Sequence, residues 1–127
     1  MKKKIHIDDL HFEHVAWKNE LAYQRDELKS FEHRLEEVAP RYTDKEVLKK
    51  VEHFQNQFIR HFEVLDILDH DINVHEDELS SFAKEHPVAV DHVQFHDHKD
   101  VREKVETQRE IYQELKDEFL RFLTETM

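Results

Sequence analysis

Three stripes of residues, each alternating spacings of three and four without a slip, constrain this chain more than any other feature. The first runs Ile7, Leu10, His14, Trp17, Leu21, Gln24, Leu28, Phe31, Leu35, Val38. The second runs Val47, Val51, Phe54, Phe58, His61, Leu65, Leu68, Ile72, His75, Leu79, Phe82. The third runs His98, Val101, Val105, Gln108, Tyr112, Leu115, Phe119, Phe122. A three-four alternation places every member on one face of a helix, whereas a half-buried strand alternates by two. The chain has no glycine, so no residue takes positive φ without steric cost and the tight turns of a β-fold are disfavoured. The fold class is all-α.

Boundaries follow from local chemistry. Pro40 lacks an amide hydrogen and clashes with the preceding turn, which ends the first stripe. Thr43-Asp-Lys-Glu46 reads as a capping box, with the Thr43 hydroxyl at the N-cap and the Glu46 carboxylate three residues on. His86-Pro87 stops the second stripe, and Asp91 or Asp97 caps the third. The spacing thus predicts helices over 7–39, 43–85 and 91–126 in a single domain spanning 1–127. At 1.5 Å per residue each is roughly 50–60 Å long. Short connections make sequential helices antiparallel, so the expected architecture is an elongated, coiled-coil-like three-helix bundle. A break across residues 69–73, giving four shorter helices, is the alternative. The second helix carries Ile59, Phe62, Val64, Ile67 and Val74 off its stripe. That surplus points to a homodimer, or another helical protein, completing a larger bundle.

The charge excludes several partners. With 30 acidic residues against 19 basic ones the net charge is -11, so no basic face offers itself to nucleic acid or to an anionic membrane. No apolar run approaches the roughly 20 residues of a membrane span. The opening MKKKIHIDDL lacks an apolar core after its lysines, so a cytoplasmic location is expected. Cysteine is absent, which removes disulfides and thiolate metal sites. No glycine-rich phosphate loop or nucleophile elbow occurs. Carboxylate pairs are so common in this composition that none singles out acid–base chemistry. The expected function is therefore non-enzymatic: a structural or protein-interaction module.

One feature stands outside that reading, the 12 histidines. His14, His61 and His75 fall on the apolar stripes and point inward, as does His98 if the third helix starts early. Inward polar residues commonly fix register and oligomeric state. Buried imidazoles also favour their neutral form, so stability is expected to fall below about pH 6.5. Folding the second helix back about residue 41 sets His11 and His14, three apart, near Asp71 and His75, four apart. Such spacings put both donors on one side of a helix, and His11, His14, Asp71 and His75 form a candidate internal metal site, with Glu106 or Gln108 completing it. His92 and His96, four apart, form a candidate surface pair. Imidazole and carboxylate donors suit zinc, copper or iron. The alternative function is accordingly a transition-metal-binding bundle for storage, buffering or sensing.

Overall fold

A computed structural model describes residues 6–85 and 92–126, with side chains over 6–85 and 96–126. It is a three-helix bundle: α1 spans Ile7–Val38, α2 spans Lys45–Glu85 and α3 spans His92–Thr126. Among the described residues there is no strand. The three stripes meet along the axis. Every member is buried except Ile7, Phe31, Val47 and Phe82, which are half-buried at the ends or edges of the core.

Local chemistry explains each end. Asp8 and Asp9 sit in the first turn of α1, where the helix dipole favours negative charge. A 3-10 turn over Ala39–Arg41 carries Pro40 and ends at Tyr42 in an extended conformation. The Tyr42 hydroxyl donates to the Thr126 carbonyl, satisfying an acceptor at the frayed end of α3. The cap of α2 differs from the expected one. Asp44, not Thr43, accepts from the amides of Glu46 (2.8 Å) and Val47 (3.3 Å). A carboxylate directly before Lys45 meets the second and third amides of the helix, and that leaves Thr43 one residue too early.

α2 runs 41 residues without interruption, so no break occurs at 69–73. Ile72 and His75 continue the buried stripe straight through it. The fold-back does differ from the expected one. Residues paired across α1 and α2, such as His14 with Glu76, Arg25 with Asp66 and Phe31 with Phe58, centre near residue 45 rather than 41. The cause is the connection: the 3-10 turn rises about 2 Å per residue and Tyr42 is extended, so the chain advances along the axis before α2 begins.

Near the Tyr42 end, Phe31, Phe54, Phe58, Phe119 and Phe122 interlock, with ring centroids 5.1–6.4 Å apart. The apolar cluster continues up to Trp17, Ile72 and Val101 and stops there. Leu10 and Leu79 are buried beyond it but do not join it. Between them lies a layer of histidines.

The parallel pair α1 and α3 is set by charge. Glu13, Glu20 and Glu27, seven apart, meet Arg102, Arg109 and Lys116, also seven apart. Each rung is worth at most about 1 kcal/mol at a partly exposed site. Repeated three times at one offset, the rungs select a single register. The same register brings His14 level with His98, and Gln24 level with Gln108.

Candidate metal centre

His14 from α1, His75 from α2 and His98 from α3 converge in the buried layer, with one ring nitrogen of each within 4.8 Å of the other two. All three side chains are at most 4% exposed. Their ring centroids lie 4.9–5.4 Å apart. Trp17 stacks on His98 at 4.8 Å and closes one side. Leu10 and Leu79 follow one turn away and shield the layer from the end of the bundle.

The hydrogen bonds fix which nitrogens are available. His14 Nδ1 donates to Glu76 Oε2, while Glu76 Oε1 accepts from His11 Nδ1. His98 Nε2 donates to Glu13 Oε1, and Arg102 grips the same carboxylate with two bonds, 2.7 and 3.1 Å. Burial presses both carboxyls upward. Hydrogen bonds outweigh it, from Arg102 and His98 at Glu13 and from His14 and His11 at Glu76, holding both below the usual carboxylate range. Both are therefore ionised and accept only. A neutral histidine that gives its one proton to such a carboxylate turns a lone pair inward.

His14 Nε2 and His98 Nδ1 are 3.1 Å apart. In the neutral, outward-donating tautomers both are acceptors, and two acceptors at that distance repel unless a proton or a cation lies between them. The third histidine adds a second anomaly. His75 Nε2 is buried and has no hydrogen-bond partner among the described residues, and an unsatisfied buried nitrogen ordinarily costs about 1–3 kcal/mol. Burial, reinforced at a distance by His14, lowers the His75 pKa below its ordinary value despite Glu78, Asp97 and Glu76. His98 is lowered too, because burial exceeds the pull of Glu13. Neutral imidazole is the form that ligates a metal.

A metal ion at 2.0–2.1 Å from tetrahedral nitrogens spaces them about 3.3 Å apart. The His14–His98 separation of 3.1 Å already matches that edge. Glu76 and Glu13 stand behind two of the candidate donors, where outer carboxylates would orient the histidines and raise their basicity toward a metal. Three nitrogens would leave a fourth tetrahedral position to water or a small ligand.

The expected site residues are distributed differently. His14 and His75 come together as the spacing indicated. His11 is 58% exposed and reaches Glu76 rather than the cluster. Asp71 pairs with Lys104 at 3.8 Å. Glu106 is exposed, and Gln108 belongs to a separate layer with Gln24 and His61. The shift of the fold-back toward residue 45 explains the exchange, since it moves Glu76, in place of Asp71, opposite His11 and His14. His96 is exposed, and the side chain of His92 lies outside the described residues. Sequence reasoning missed Glu13, Glu76 and the inclusion of His98. Their signal was the heptad match of Glu13, Glu20 and Glu27 to Arg102, Arg109 and Lys116, which sets the levels of α1 and α3.

No family model, curated protein or solved structure matches this chain. The geometry is what speaks for a function. Among the described residues, no helix is long and apolar enough to cross a membrane.

Proposed function

We propose that this protein binds a transition metal through His14, His75 and His98, with Glu13 and Glu76 orienting the ligands, in a storage, buffering or sensing role. The observation that carries the reading is the approach of two inward ring nitrogens to 3.1 Å beside a buried nitrogen with no partner among the described residues. A cation resolves both at once. All-imidazole donors favour zinc or copper(II) over magnesium or calcium, with iron(II) as a weaker candidate.

The test is elemental analysis of untagged protein after dialysis, paired with zinc and copper titrations read by fluorescence of Trp17, the single tryptophan. One equivalent should bind to the wild type and to a variant lacking His92 and His96, and none to His98→Ala. Stoichiometric binding that survives loss of His98 and vanishes with His92 and His96 would overturn the proposal.

A second reading, the structural or interaction module, has its own support. Phe12, Tyr23, Ile59 and Ile67 are each more than half exposed, more apolar surface than a solitary bundle needs. Sedimentation across a hundredfold concentration range tests it, and a strictly monomeric species would remove the homodimer.

A further inference from the structure

We propose that the groove between α2 and α3 binds a small neutral molecule with an apolar body and a hydrogen-bond acceptor, anchored on His61. The site is independent of the metal centre. His61 precedes His75 by fourteen residues on one helix, so the two are separated by roughly 20 Å.

The groove encloses about 650 Å³, within the usual range for small-molecule sites. Val64, Ile67, Leu68 and Ile111 give it apolar walls, and His61 and Gln108 lie at its floor. Ile67 and Ile111 are 59% and 46% exposed, side chains that a ligand would cover. The floor has a defined polarity. Gln108 Nε2 donates to Gln24 Oε1 at 3.2 Å and to His61 Nδ1 at 3.1 Å. An amide nitrogen only donates, so His61 Nδ1 accepts and Nε2 carries the proton. No described residue accepts from Nε2. The ring is 3% exposed and lines the groove, so the groove is where an acceptor can reach that proton.

Charge selects the class of ligand. The rim holds Arg60 and Lys104 against Asp71, Asp100 and Glu103, two cations to three carboxylates, and Lys104 already pairs with Asp71. An anion gains no net attraction there. A cation is turned away by the N–H at the floor. A carbonyl or ether on an aromatic or aliphatic frame meets both constraints.

Nile red, a neutral dye with a ring carbonyl and polarity-sensitive emission, serves as the probe. Titrated into chelator-treated full-length protein, it should give saturable one-to-one binding with blue-shifted emission. His61→Phe keeps the ring volume and removes the donor, and should weaken binding about three- to tenfold, as expected for one neutral hydrogen bond. Ile67→Lys, at an exposed position that folding tolerates, should abolish binding. Ile59→Lys, equally exposed but outside the groove, should leave it unchanged. Three results would overturn the proposal: no saturable signal, equal loss with Ile59→Lys, or dye release as the protein self-associates at rising concentration. The last would assign the groove to a second copy of the chain.

Discussion

Replacing His75 by leucine should make the metal-free protein more stable, an unusual outcome for a change at a fully buried position. His75 is 4% exposed and its Nε2 has no partner among the described residues. Leucine is close to histidine in volume and continues the stripe between Ile72 and Leu79, so no cavity of consequence opens. The change removes an unsatisfied nitrogen worth about 1–3 kcal/mol and adds apolar burial. For 127 residues, with an unfolding entropy of about 2.1 cal/mol/K per residue, that gain raises the melting temperature by about 4–11 °C. His98→Leu lacks this advantage, because it removes one of the partners of the partly buried Glu13. Calorimetry and urea unfolding at pH 7.5 with chelator present make the comparison. A His75→Leu protein less stable than wild type would show that His75 is satisfied, and the case for a cation in the histidine layer would lose half its support. With excess zinc the gap should close or reverse, since only the wild type keeps the full ligand set and gains its binding energy. At a free metal concentration one hundred times the dissociation constant that gain is about 2.7 kcal/mol.

Three further outcomes follow. Glu13→Gln and Glu76→Gln should each weaken zinc binding 10- to 100-fold, measured against a chelating dye, and unchanged affinity would deny them an orienting role. Metal-free stability should be intact above about pH 6.5 and decline as the pH falls toward the folded-state values of His61, His75 and His98. Burial lowers all three, so the unfolded chain takes up protons first. His61→Phe should flatten that decline, and urea midpoints that rise between pH 7.5 and 5.5 would refute the sign. Asp44→Ala should cost about 1 kcal/mol in urea unfolding, as for other N-caps, while Thr43→Ala should fall within 0.5 kcal/mol as an uncapped surface change.

The helices were legible because their signal is local. A three-four period over ten residues specifies a face whatever the neighbours do, and Leu10 to Val38 (Phe31 only half), Val51 to Leu79 and His98 to Phe122 bury as their spacing requires. The levels between helices were less legible. They depend on the path of a few connecting residues, and the 3-10 turn with extended Tyr42 displaced the α1–α2 pairing far enough to replace Asp71 by Glu76. The α1–α3 level was encoded in plain view as two matched heptads of opposite charge. It becomes a signal only once the two helices are known to be parallel neighbours.

Two polar layers cross this core, and their contrast separates a register device from a ligand site. In the middle layer Gln24, His61 and Gln108 complement one another: Gln108 donates to both, and each receives through an acceptor. Such a layer holds three helices in step, and the His61 N–H lies beside a groove. In the upper layer the complementarity fails at the axis. Ionised Glu13 and Glu76 each accept from one histidine on the outside, so in the neutral form the inner nitrogens have nothing to donate to one another. Swapping a carboxylate for a neutral amide at either outer position would free that histidine to turn its proton inward and satisfy the layer as glutamine does in the middle. The chain carries glutamate at both positions and holds one of them with Arg102. Converging lone pairs without a proton would raise the free energy of a metal-free core relative to a metal-bound one. A register device has no need of that difference, and the proposed metal ligand set would depend on it.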